Sequence, residues 1–280
     1  MDAVEFSLRR VGEENIHYYE SEKESSVQLV FVPGGLNPEL WKQQLRYFSK
    51  RFCTISFKPT VSFRDYEGEK SALENILNQD HLDNVVLIAN TFGNGLIQEF
   101  EDRDDVVSTV LTGPRREFKE VPPRRIYNWL YRVGKYKPKI AQKMFFSDDT
   151  EYKVVKDFME TVEKPDYSDF KSFLDDYKVS RPSKDSLVLH ATEDRFSDIE
   201  FGRELEPNAS LSKLEAAGTF SFFEKPQDFN KALIDFLDII EDYKEQEELM
   251  KLKENNRSLL EFEKDKSERK VGKKAKKVKV

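Results

Sequence analysis

The stretch VVLIANTFGNGLI, residues 85–97, carries the clearest indication of chemistry in this chain. An apolar run leads into a turn and then into a helical pattern, with Thr91 at the tip and Gly93 two residues later. A sharp strand-to-helix turn presents the side chain at its tip, and a hydroxyl there acts as a nucleophile when a base lies beside it. Threonine has the hydroxyl, but its β-branching makes a strained backbone costlier and its secondary alcohol is more hindered.

A nucleophilic hydroxyl needs a base, and the chain has three histidines, His17, His81 and His190. None of them falls where an imidazole could reach the tip of the turn, so we expect structural or surface roles for all three. The single cysteine, Cys53, lies in the apolar run FCTISF, which predicts a small buried core residue. One cysteine excludes an internal disulfide and a cysteine-clustered metal site. We expect neither a metal nor a cofactor.

The elements that must position these residues follow from the hydrophobic pattern. Eight segments have strand patterns: residues 4–8, 16–20, 27–32, 52–57, 84–90, 106–112, 186–192 and 210–216. The first two are amphipathic, and most of the others are continuous apolar runs, which are typical of strands buried on both faces. Helical patterns lie between them. The sequence therefore predicts an α/β protein whose mostly parallel sheet is covered by helices, with an antiparallel pair at one edge.

The interval from Gly113 to Asp185 has no strand pattern, but it contains helical patterns at residues 124–136, 151–163 and 167–178. It is too long for a loop, so we expect a helical insertion over one end of the sheet. After the last strand, residues 226–243 predict a closing helix. Its apolar stripe consists of Phe229, Leu233, Phe236, Leu237 and Ile240.

Four segments occur in a recognisable order: VQLVFVPGGLNPELWKQQLRYF, LIANTFGNGL, LVLHATEDRFS and LEAAGTFSFFEKPQDFNKALIDFL. They resemble, in turn, the strand, HG turn and tryptophan-bearing helix, the nucleophile elbow, the acid-bearing strand end, and the histidine turn with the final helix of the α/β-hydrolase fold family. The resemblance covers Val4 to Tyr243. It implies an eight-stranded hydrolase core at 1–113 and 186–247, with a helical cap at 114–185 after the sixth strand. Residues 248–280 are expected to form a charged extension that is basic and disordered at its end, because the segment ERKVGKKAKKVKV has almost no core-forming residues.

The resemblance assigns three residues to the positions of that family's catalytic triad. Thr91 takes the place of the nucleophile, Asp194 that of the acid, and Thr219 that of the histidine. Oxyanion-hole-like backbone donors are implied at Gly34, Gly35 and Phe92. With the preferred nucleophile and its base both replaced, we expect little hydrolytic rate, because general-base assistance alone supplies about 10²–10⁴-fold.

The net charge of -7 conceals two basic segments. Residues 115–143 hold ten Lys and Arg against two Glu, and residues 264–280 hold nine against two acidic residues. In the first segment the basic side chains lie among aromatic ones, a mixture suited to phosphate contacts and stacking. The candidate anion contacts are Arg115, Arg116, Arg124, Arg125, Arg132, Lys135, Lys273, Lys274, Lys276 and Lys277. The alternative is a solvated helix face and a solubilising tail.

Two hypotheses from different classes follow. The first is a catalytically degenerate α/β-hydrolase-fold protein used for binding. Its partner would be a small apolar ligand under the cap, or an anionic partner such as RNA, a ribonucleoprotein or an acidic protein surface. The alternative is an active, esterase-like hydrolase with an unconventional site at Thr91. No apolar run is long enough to cross a bilayer, and the start lacks the apolar core of a secretory signal. We therefore expect a cytoplasmic protein, or a nuclear one if the basic tail is a localisation signal.

Overall fold

The computed structural model describes residues 5–11, 14–59, 65–118, 124–125, 128, 138–162, 166–206, 208–244 and 246. The strands are β1 (Ser7–Val11), β2 (Glu14–Glu20), β3 (Gln28–Val32), β4 (Cys53–Pro59), β5 (Val85–Ala89), β6 (Val106–Thr112), β7 (Ser186–Ala191) and β8 (Ala209–Leu214). The helices are α1 (Lys42–Phe48), α2 (Tyr66–Leu77), α3 (Asn94–Gln98), α4 (Pro138–Phe145), α5 (Tyr152–Thr161), α6 (Tyr167–Asp175), α7 (Ile199–Glu204), α8 (Ser221–Glu224) and α9 (226–244). A 3₁₀ turn, Pro38–Trp41, precedes α1.

All eight strands form one sheet in the order β1-β2-β4-β3-β5-β6-β7-β8. The β1–β2 and β2–β4 pairs are antiparallel, and all other neighbours are parallel. This confirms the predicted sheet, including its antiparallel edge. The register pairs Val32 with Ala89 and Ala89 with Leu111, so the carboxyl ends of β3, β5 and β6 meet at one edge. The turns after β3 and β5 carry Gly34, Gly35, Thr91 and Phe92, and those after β7 and β8 carry Asp194 and Thr219.

The predicted position of the first strand was wrong. We expected residues 4–8, whereas β1 runs from Ser7 to Val11 and only Val11 in it is buried. An exposed edge strand has little apolar alternation to mark its ends. By contrast, every residue of β3, β5 and β7 is buried, as their continuous apolar runs predict.

Helices α4, α5 and α6 lie in the interval between β6 and β7, and its described residues contain no strand. The predicted patterns at 151–163 and 167–178 correspond to α5 and α6. Helix α4 was not predicted, because its eight residues are too few to establish a helical period, although Ile140, Ala141, Met144 and Phe145 are apolar. The pattern at 124–136 lies mostly outside the described residues. Within it, the structure describes only residues 124, 125 and 128, and all three are helical. That the interval forms a cap over the sheet stays a prediction.

The chain divides into two units, residues 1–234 and 235–280. In the first unit, α9 begins after α8, with Phe229 and Leu233 buried. In the second, helical residues continue to 244, and Phe236, Leu237 and Ile240 are buried. The predicted closing helix is thus present, while the predicted extension from residue 248 lies outside the described residues. Among the described helices, none is long and apolar enough to cross a membrane.

Candidate functional site

Thr91 lies at the tip of the turn between β5 and α3. The side chain of Asn90 holds this turn: its Nδ2 donates to the carbonyl of Pro33 at 2.5 Å. Its Oδ1 accepts the backbone N–H groups of Phe92 and Gly93 at 3.0 and 3.1 Å. The strand-to-helix turn indicated by the sequence is therefore present, and it is tied to the end of β3.

Two glycines allow the loops around this turn to approach one another. A Cβ on Gly34, whose φ is +62°, would lie 2.5 Å from the backbone nitrogen of Gly93. A Cβ on Gly113, whose φ is +55°, would collide with Asp194 Oδ2 and come within 3.1 Å of Thr91 Oγ1. Because both oxygens face the same point beside Gly113, Thr91 and Asp194 are close neighbours.

The three residues that the resemblance assigns to triad positions lie close together, but hydrogen bonds join only two of them. The hydroxyl of Thr219 donates to Asp194 Oδ1 at 2.7 Å, and the N–H of Phe196 donates to the same oxygen at 2.8 Å. Thr91 is 0% exposed, and its Oγ1 has no hydrogen-bond partner among the described residues. Asp194 Oδ2 is also buried and unpartnered there. A threonine hydroxyl thus makes the hydrogen bond to the acid that an imidazole would make in a triad.

The three histidines lie in other environments. His190 in β7 is buried, and its Nδ1 is 3.1 Å from the hydroxyl of Ser197. Burial lowers the pKa of His190, although the nearby carboxylates of Asp194 and Asp198 act in the opposite direction. His81 pairs through Nε2 with Glu20 Oε1 at 2.7 Å, and His17 is exposed on β2. No histidine is therefore hydrogen-bonded to the hydroxyl at the tip of the turn.

The predicted oxyanion-hole donors all have acceptors inside the protein. Gly34 N–H donates to Glu69 Oε1 at 2.6 Å, and Gly35 N–H donates to Glu69 Oε2 at 2.8 Å. The third donor, Phe92 N–H, is bonded to Asn90 as described above. Glu69 is only 2% exposed. Burial raises the pKa of Glu69 to about 7, while the two N–H groups oppose that shift by stabilising the ionised form.

Glu69 is the site residue that our reading of the sequence missed. It belongs to α2, whose buried face also includes Tyr66, Leu73 and Ile76. A glutamate on the apolar face of an amphipathic helix is a detectable signal, since an ionisable group is seldom fully buried without a partner.

A second buried glutamate holds the turn that contains Thr219. Glu224 Oε2 accepts the N–H of Gly218 at 2.8 Å, and Oε1 accepts the N–H of Ser147 at 3.0 Å together with the hydroxyl of Thr150. Glu224 therefore connects the segment after α4 to the turn that carries Thr219.

Phenylalanine rings surround these turns, and each of the two site threonines is followed by one. Phe92 packs against Phe118, Phe170 and Phe220, with ring centroids 5.9, 5.7 and 6.4 Å apart. Phe220 also contacts Phe158 at 4.4 Å. Such rings exclude water from the region of the hydroxyl groups.

Four of the ten predicted anion contacts lie in the described residues. Arg115 stacks over Phe118 at 4.6 Å, and Arg116 pairs with Glu204 at 2.5 Å. Arg124 and Arg125 are exposed on a helical segment. The other six are outside the described residues: Arg132, Lys135, Lys273, Lys274, Lys276 and Lys277. Within the described part of the chain, no group of three or more His, Cys, Asp or Glu side chains could hold a metal ion.

No protein-family model matches the sequence, and a comparison with curated proteins finds no match. Solved structures do match. A bacterial membrane phospholipase A is 17% identical with a TM-score of 0.65, over 85% of this chain and 87% of that protein. A thermophilic esterase from Thermogutta terrifontis is 15% identical with a TM-score of 0.63, over 86% and 99%. The enol-lactonase from Burkholderia xenovorans LB400 is 16% identical with a TM-score of 0.63, over 83% and 100%. The chain has the α/β-hydrolase fold.

Proposed function

We propose that this chain is a catalytically degenerate α/β-hydrolase-fold protein that acts as a binding or interaction module for an anionic partner. One observation carries the first half of the proposal. The hydroxyl of Thr219 is hydrogen-bonded to Asp194, where a triad would have an imidazole, and Thr91 Oγ1 has no partner among the described residues.

This arrangement disfavours acyl transfer at each step. An alcohol at the tip of the turn needs a base to take its proton, and a second hydroxyl does not accept protons at neutral pH. An oxyanion needs free donors, whereas the Gly34 and Gly35 N–H groups already bind a carboxylate. Loss of one oxyanion donor typically costs about 10²–10³-fold in rate. The buried hydroxyl therefore supports a structural role.

An ester-hydrolysis screen with activated esters of short and medium acyl chains tests the catalytic half. We expect wild-type protein and Thr91→Ala to hydrolyse them at the same rate. Thr112→Ala is the matched control, because Thr112 is likewise buried and its Oγ1 is unpartnered in the described structure. It shows how the loss of a buried threonine hydroxyl affects the protein in general.

The alternative is an esterase-like hydrolase that uses Thr91. The names of the similar structures favour it, since they include a phospholipase, an esterase and a lactonase. It requires a hydrolytic rate well above background that Thr91→Ala removes and Thr112→Ala retains. That result would replace the proposal that the chain is catalytically degenerate.

The partner half of the proposal depends on the two basic segments. Arg124 and Arg125 are exposed, and the first segment contains aromatic residues beside its charges. Contacts with phosphates release counterions, so affinity falls with salt by about 0.7 log units per tenfold increase in salt for each phosphate contact to a single strand. We extend the proposal to a cytoplasmic location, or a nuclear one directed by the basic tail.

Binding of a fluorescent single-stranded RNA, measured across a salt series, tests this half. We expect weaker binding and a shallower slope for Arg124→Gln combined with Arg125→Gln, and for a chain that ends at Leu260. The matched control is Lys153→Gln with Lys156→Gln, an equal loss of exposed charge from α5. If the intact chain binds no RNA at low salt but binds an acidic peptide, the partner is an acidic protein. If it binds neither, the basic segments are solvated surface.

A further inference from the structure

The loop after β3 presents two consecutive backbone N–H groups to one carboxylate. Gly34 and Gly35 have φ angles of +62° and +76°, in the left-handed region that glycine adopts at little cost. Each N–H binds a different oxygen of Glu69, at 2.6 and 2.8 Å. This two-point geometry matches the two oxygens of a carboxylate, and consecutive N–H groups in such turns form anion-binding concavities.

The local packing leaves no room for other residues at these two positions. A Cβ on Gly34 would lie 2.6 Å from Asn90 Oδ1, and a Cβ on Gly35 would lie 2.8 Å from the ring of Phe173. The absence of side chains lets the loop contact the turn at Thr91 while its N–H groups face away toward α2. The donors are therefore held in place by the surrounding structure as well as by Glu69.

Glu69 is itself fixed by its helix. The Asp65 side chain caps α2 by accepting the N–H of Gly68 at 2.9 Å, and the N–H of Glu69 donates to the Asp65 carbonyl at 3.1 Å. The carboxylate then lies in the first turn of the helix, where the helix dipole favours negative charge.

We propose that the paired N–H groups of Gly34 and Gly35 form a carboxylate-binding site that the chain fills with its own Glu69 side chain. The Glu69 side chain occupies these donors, which the fold places beside the turn at Thr91. Removal of that side chain makes both N–H groups available to a free carboxylate. This inference goes beyond the proposed function, because it concerns binding at the loop after β3 and stands whether or not Thr91 reacts.

Chemical rescue of Glu69→Ala tests the site. Truncation removes the carboxylate and leaves space for a small acid, so about 100 mM sodium formate should raise the midpoint of thermal unfolding of the variant. We expect a rise at least about 2 °C larger than that of wild-type protein, with sodium chloride at equal ionic strength as the salt control. Because the readout is unfolding and not hydrolysis, its failure is separate from failure of the proposed function.

Glu101→Ala is the matched variant. Glu101 is also a buried glutamate, but it accepts a single backbone N–H, from Ser183 at 3.1 Å, and its Oε2 is unpartnered in the described structure. A rise confined to Glu69→Ala supports the site. Equal rises in both variants, or no rise above the chloride control, overturn it.

Glu69→Gln keeps the test decisive if Glu69→Ala does not fold. The amide has the same shape but only one acceptor oxygen, and it carries no charge. Charge-assisted hydrogen bonds are the stronger ones. At pH 8, where Glu69 is ionised because its pKa is about 7, we therefore expect the amide proton resonances of Gly34 and Gly35 to move upfield in this variant, further than those of residues elsewhere in the sheet. Unchanged resonances for both glycines overturn the inference.

Discussion

Stability should depend on pH through Glu69, and Glu69→Gln should remove that dependence. Burial raises the pKa of Glu69 from 4.5 to about 7 in the folded chain. The folded state thus holds this proton more tightly than the unfolded chain does, so protonation stabilises the fold. The contribution is fully present below about pH 4.5 and is lost as the pH rises through about 7.

The expected magnitude follows from the two pKa values. One unit corresponds to about 1.4 kcal/mol, and most of the range between 4.5 and about 7 is crossed from pH 5 to pH 8. Wild-type protein should therefore lose about 2–3 kcal/mol of unfolding free energy relative to Glu69→Gln over that interval. The amide also places an NH₂ group against one glycine N–H, which lowers the stability of the variant at every pH.

Urea denaturation at pH 5, 6, 7 and 8 measures the difference between the two proteins, so titration of all other groups cancels. Glu67→Gln, at an exposed position of the same helix, controls for the loss of one carboxylate from α2. The reasoning is refuted if the difference between wild-type protein and Glu69→Gln stays constant from pH 5 to pH 8. It is also refuted if wild-type protein gains stability relative to the variant, since the two N–H bonds would then outweigh burial.

Three substitutions test the rest of the site by chemical denaturation. Thr219→Val should lower the unfolding free energy by about 1–3 kcal/mol because Asp194 loses a buried donor, whereas Thr219→Ser should retain most of it; equal losses would contradict that hydrogen bond. Gly34→Ala should lower the unfolding free energy by more than about 2 kcal/mol, because the φ of Gly34 is positive and the added Cβ would clash with Gly93. Gly202→Ala is the control and should change the unfolding free energy little, because its Cβ would lie 3.6 Å from the nearest atom. Phe220→Ala should cost about 3–5 kcal/mol by opening a cavity, and a loss below about 1 kcal/mol would show that the ring is not packed as described.

The parallel core of the sheet was predictable because its strands are buried on both faces. Continuous apolar runs such as those of β3 and β5 are too short for a buried helix, so their length favours a strand. The edge strand β1 was misplaced because its exposed residues follow no apolar rule. Helix α4 was missed for a different reason, since its eight residues span only about two turns and are too few to establish a helical period.

The site was predictable only in part. The proximity of Thr91, Asp194 and Thr219 was implied by the resemblance of four ordered segments to the α/β-hydrolase fold. The hydrogen bond from Thr219 to Asp194 and the carboxylate at Gly34 and Gly35 depend on side-chain positions in separate elements, which no local pattern encodes. For the contact with Gly34 and Gly35, the sequence offers one indication, which is the position of Glu69 on the apolar face of α2.

The packing of Trp41 gives the chain an optical probe of the turn that follows Thr219. Its indole is fully buried, lies 4.0 Å from the ring of Phe222 in a stacked arrangement, and donates through Nε1 to the Val32 carbonyl at 3.3 Å. An indole in such surroundings fluoresces at shorter wavelengths than one in water. Because Phe222 belongs to α8, any opening of that segment would wet the indole and shift its emission to the red. The chain has one other tryptophan, so a Trp129→Phe background would let fluorescence follow this single region in real time.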